Sequence, residues 1–104
     1  MATATIKAGI CGFTTVIVAT VDDDENTTFT VNTDCPNYRP LDGRCFDVDA
    51  YQLLAQKVGR GAVYETFRPH CPHAACPVPS GAMKAIEVAA GIALPRDAHI
   101  QVQS

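Results

Sequence analysis

The chain contains no tryptophan, and only eight of its 104 residues are lysine or arginine. Those basic residues are scattered, so no stripe of positive charge is available to a phosphate backbone, and nucleic acid is set aside as a main partner. Long apolar runs are missing as well. The most apolar early stretch, Ala8 to Val21, is interrupted by Gly9, Gly12, Thr14 and Thr15. It falls short of the roughly 20 apolar residues that span a bilayer, which argues against a membrane protein. The charged start of a signal peptide is absent, and Lys7 stands where its apolar region should begin. The expected compartment is therefore reducing and cytoplasmic. No Gly-rich phosphate loop, nucleophile elbow, paired-carboxylate signature or C-x-x-C pair occurs. The acidic run from Asp22 to Asn26 lacks the spacing and distal glutamate of a calcium loop, and reads as a solvated hairpin turn.

What remains is an ordinary globular balance, 47% apolar and 18% charged with net charge −3, which fits one folded domain over residues 1–104 with a modest core. Three strands open the chain. Ala4, Ile6 and Ala8 alternate with Thr3, Thr5 and Lys7; Thr14 to Val21 is almost wholly β-branched; Phe29 and Val31 alternate with Thr28, Thr30 and Asn32. Residues 34–48 read as irregular. Asp49 starts a helix with Gln52 as its capping-box partner; Tyr51, Leu54, Ala55 and Val58 follow at helical spacing, and Gly59 ends it. A short helix over Ala62 to Arg68 is stopped by Pro69, and Ser80 to Ala90 forms a longer one closed by Gly91 and Ile92 in a Schellman motif. Ala98, Ile100 and Val102 alternate with His99, Gln101 and Gln103, which predicts a last strand. The expected fold is α/β of the α+β kind. It has a small, mostly antiparallel sheet of about four strands, two to three helices on one face, and the order β-β-β-α-α-α-β.

Five cysteines in a chain this short are the chemical signal, and an odd number fits a full set of structural disulfides poorly. In an antiparallel meander, the first turn holds Cys11 and the third strand finishes at Cys35, so both fall at one end of the sheet. A last helix packed antiparallel to the last strand brings Cys76 there, with Cys71 five residues earlier in the same loop. Cysteine precedes proline at Cys35, Cys71 and Cys76, and proline stiffens such turns and removes a backbone donor. Cys11, Cys35, Cys71 and Cys76 are the candidate ligands of a metal site, with Cys45 and His73 as substitutes. Four thiolates suit tetrahedral zinc or an iron–sulfur cluster, and the sequence does not separate the two. Against this stands a structural domain with buried free cysteines and no site. Tyr38, Tyr51, Tyr64, Phe67 and Met83 read as packing residues. His70 and His99 read as loop and solvated polar groups. Neither a protein partner nor a homodimer conflicts with this composition.

Two resemblances bear on the cysteines. Cys76-Pro77-Val78-Pro79 before a helix resembles the C-P-x-P element of the TusA-like sulfur-transfer family, and Lys84 lies on that helix as lysines do there. The likeness implies a sulfur carrier or thiol-transfer protein using Cys76, its thiolate favoured by the helix N-terminus. It covers about ten residues, and here the element stands near the C-terminus instead of after the first strand. Three further segments are Ala8-Gly9-Ile10-Cys11-Gly12-Phe13, Asp34-Cys35-Pro36, and the run from His73 through Cys76-Pro77-Val78-Pro79 to Leu94-Pro95-Arg96-Asp97. Together they are similar to an uncharacterised family of small cysteine proteins of mainly anaerobic microbes. That resemblance implies no activity. It favours Cys11, Cys35 and Cys76, and an anaerobic setting suits an oxygen-sensitive iron–sulfur centre without excluding zinc.

Overall fold

A computed structural model of the chain describes residues 1–104. Strands β1 (Ala2–Lys7), β2 (Thr14–Val21), β3 (Thr27–Thr33) and β4 (Cys45–Val48) form one sheet in the order β1-β2-β3-β4. Every neighbouring pair is antiparallel. A 3-10 helix over Pro36–Leu41 lies between β3 and β4, and α1 (Ala50–Leu54), α2 (Ala62–Phe67) and α3 (Val78–Ala89) follow.

The period-two pattern sorts the strands onto two faces. Ile6, Ile17, Ala19, Phe29 and Val31 point into a single core of 15 buried residues, while Thr3, Thr5, Val16, Val18 and Thr30 line the other face. Helix α3 covers β1 and β2 with Val78, Ala82, Ala85 and Ile86. It comes close because Gly81 has no side chain where it crosses Ile6. Its end is the expected Schellman motif: Ile92 N–H donates to the Glu87 carbonyl at 2.9 Å and Gly91 N–H to Val88 at 3.1 Å, with Gly91 at φ 75°.

The sheet and the helical half agree with the sequence reading in class, and they differ in three places. Residues 34–48, expected to be irregular, contain both the 3-10 helix and β4. Strand β4 is only four residues long, too short for alternation to stand out. Beyond its pairing with β3 it is held by side chains: Phe46 stacks on Phe29 with centroids 5.2 Å apart, and Arg44 lies 5.0 Å from the Phe46 ring. The helix begun by Asp49 is capped as expected, with Gln52 N–H donating to Asp49 Oδ1 at 3.1 Å. It stops at Leu54, so the buried pair is Ala50 and Leu53, and Tyr51, Leu54 and Val58 are exposed. The expected last strand does not form. Residues 94–104 are exposed and make no hydrogen bond, so the fourth strand is β4 and not a C-terminal one.

Candidate thiol site

The first hairpin turn is tight because Gly9 and Gly12 adopt φ 93° and 76°, which glycine reaches without strain, and Gly12 N–H donates to the Gly9 carbonyl at 2.9 Å. It holds Cys11 exposed at one end of the sheet. Strand β3 ends at that same end. There Asp34 accepts from Thr14 N–H at 2.7 Å, and Thr15 and Thr33 share a hydroxyl hydrogen bond of 2.8 Å. Cys35 follows at once, its N–H bound to Thr33 Oγ1 at 3.1 Å. Pro36 then opens the 3-10 helix, which turns Tyr38 inward.

The remaining thiols come from the segment between α2 and α3. Cys71 N–H donates to the Phe67 carbonyl at 3.0 Å, and Cys76 N–H to His73 at 3.2 Å. The Cys71 thiol is 3.0 Å from the His73 carbonyl. Cys76 ends that loop two residues before α3 begins. The fold thus places Cys11, Cys35, Cys71 and Cys76 along one cavity of about 240 Å³, walled mostly by apolar groups including Phe13, Pro72, Ala75 and Val78. Cys76 reaches this end because α3 packs on β1 and β2 and starts there; no C-terminal strand is needed.

Tyr38, read from sequence as packing, stands at the centre of the site. Its ring is 2% exposed and meets Phe67 edge-on at 5.2 Å, and its hydroxyl shares a hydrogen bond of 3.2 Å with the Cys76 sulfur. Its place three residues after Cys35, on a turn opened by Pro36, was the available signal. Burial, and then the Cys71 and Cys76 thiols beside it, push the phenol well above its usual range. Burial likewise pushes the Cys76 thiol up; the hydrogen bonds from Tyr38 and from Val78 N–H at the start of α3 oppose that shift, and Cys71 adds to it.

His73 also lines the cavity. Cys45 does not. It is exposed on the outer face of the sheet opposite Thr30, so it is no substitute ligand there. No three Cys, His, Asp or Glu side chains stand close enough together to hold a single metal ion. Cys71 and Cys76 stand side by side at the Tyr38 hydroxyl, and Cys11 and Cys35 line other parts of the cavity.

A four-stranded antiparallel sheet with helices over one face and a thiol-lined cavity at its end defines a small α+β domain. The chain belongs to a family of unknown function, DUF6951, whose model matches residues 2–102. Comparison with curated proteins and with solved structures found no match. No helix is long and apolar enough to cross a membrane.

Proposed function

We propose that the cavity is a cysteine-ligated iron–sulfur site, held by Cys35, Cys71 and Cys76 from the walls and by Cys11 from the first hairpin turn. The observation that supports it is the spacing. Four thiols line one cavity of about 240 Å³, yet no three side chains converge on one point. Zinc, with Zn–S near 2.3 Å, needs its sulfurs gathered about 3.8 Å apart. A [4Fe–4S] cluster gives each thiolate its own iron, so its sulfurs stand further apart around a larger body. The wall is mostly apolar, and the Tyr38 hydroxyl offers a hydrogen bond to the Cys76 sulfur, which raises a cluster's reduction potential.

The test is anaerobic purification followed by iron, acid-labile sulfide and zinc analysis. Iron and sulfide in stoichiometric amount, lost in Cys35→Ser, Cys71→Ser and Cys76→Ser and kept in Cys45→Ser, is the expected result. Stoichiometric zinc without sulfide overturns the cluster and keeps a metal site. Neither metal, with five freely titratable thiols, leaves a structural domain. The second reading, sulfur transfer on Cys76, is favoured by the Val78 N–H at the helix start and opposed by burial, which holds the thiol neutral. Persulfide confined to Cys76 after exposure to a cysteine desulfurase supports that reading.

A further inference from the structure

Residues 94–104 carry a strand pattern with no strand to join. They are exposed, make no hydrogen bond, and include Leu94, Ile100 and Val102, three of the large apolar side chains most open to solvent. Strand β1 is an edge of the sheet, bonded only to β2. It has none of the proline, bulge or row of charges that usually protects an edge, and Lys7 is its one charged residue.

We infer that residues 97–103 of one copy add as a fifth strand to β1 of a second copy, antiparallel and with Asp97 opposite Lys7. That register matches every position. Ala98 falls opposite Ile6, Ile100 opposite Ala4 and Val102 opposite Ala2, so a large side chain meets a small one at each core-facing pair. His99 and Gln101 fall opposite Thr5 and Thr3 on the polar face. Asp97 and Lys7 put opposite charges directly across from each other, the favourable cross-strand case. A slip of one residue would place Ile100 and Val102 on the polar face.

The chain's own β1 is out of reach in this register. Helix α3 starts at the Cys11 end, crosses Ile6 at Gly81 and leads away from that end, so the segment after it emerges where β1 begins at Ala2. Ile92 and Ala93 are still bound to the Glu87 carbonyl. Only Leu94, Pro95 and Arg96 are free, and they span about 10 Å. Reaching the Lys7 end of the six-residue β1 requires about 20 Å. Pairing with its own β1 would run parallel and leave Asp97 at the Ala2 end, away from Lys7. A second copy meets the antiparallel register directly, and reciprocal exchange closes on a two-fold axis. The thiol site plays no part in this inference.

The test is light scattering after size-exclusion chromatography of the full chain, with reductant present so that Cys11 and Cys45 cannot link copies. A dimer of about twice 11.1 kDa is expected; Ala8 N–H bonds to the Phe13 carbonyl, so Thr5 turns its backbone groups to the free edge, and His99→Pro, which removes the donor opposite Thr5, should be monomeric with its aromatic circular dichroism unchanged. Lys7→Glu should weaken the dimer about tenfold, because the two-fold repeats the pair; Asp97→Lys in addition should restore it. In a mixture of labelled and unlabelled copies, NMR contacts between Ile100 and the other copy's Ala4 are expected. A monomeric wild-type chain, a dimer that survives His99→Pro, or a charge exchange that fails to restore association would each overturn the inference.

Discussion

At the scale of single residues, the site turns on Tyr38 and Cys76. A buried phenol and a half-buried sulfur share one hydrogen bond of 3.2 Å. Replacing Tyr38 by Phe keeps the ring between Phe67 and the thiols but leaves the Cys76 sulfur without that partner, a loss of about 1 kcal/mol on denaturant unfolding of the metal-free chain. The raised thiol also gives a pH signature. Cys76 holds its proton more tightly in the fold than in the unfolded chain, where thiols ionise near pH 8.5. Its contribution is therefore intact below that pH and is lost as pH rises toward the folded value. Urea midpoints of the metal-free chain measured across this range should fall with pH, and Cys76→Ala should flatten that slope. Alkylation at neutral pH should proceed faster at the exposed Cys11 and Cys45 than at Cys76.

At the scale of elements, the contact that matters most for the site is α3 on β1, since it fixes where Cys76 stands. Glycine inside a helix costs about 1 kcal/mol relative to alanine, so Gly81→Ala would stabilise an isolated helix. Here the added methyl falls inside the Ile6 side chain. The overlap costs about 1–3 kcal/mol, and the net effect on the melting midpoint should be a decrease, partly relieved by combining it with Ile6→Ala. The elements that the sequence announced are those with long local patterns: the first three strands, the capped start of α1, and α3 with its Schellman end. Strand β4 was hidden because its order comes from pairing with β3 and from the stacking of Phe46 on Phe29, a partner that no local window of sequence contains. The C-terminal alternation was visible, but alternation states only that a strand would suit those residues; the sheet edge that would accept it belongs to tertiary structure. The cysteines divide the same way. Topology alone brought Cys11 and Cys35 to one end, whereas the role of Tyr38 depended on a 3-10 turn that aims it inward.

At the scale of the whole molecule, the thiols lie outside the buried core. None of the five cysteines is among the 15 residues of the central cluster, though Cys35, Cys71 and Cys76 pack against it. The fold therefore does not need a bound group in the way that a small zinc domain does. Binding a cluster would instead join three separate pieces: the hairpin turn at Cys11, the end of β3 at Cys35, and the loop carrying Cys71 and Cys76. A ligand present at about 100 times its dissociation constant stabilises the native state by about 2.7 kcal/mol, which for a domain of this size is a rise in melting midpoint on the order of 10 °C. Removing the metal anaerobically should lower the midpoint by that amount and leave the far-ultraviolet circular dichroism of the sheet unchanged. Hydrogen exchange should localise the change. Amides of residues 8–13 and 69–77 should exchange faster without the group, while those of Ile17 and Val31, in the centre of the sheet, keep their protection. A loss of protection spread evenly over β2 and β3 would instead mean that the bound group holds the core, and that the cavity at the end of the sheet is not where it sits.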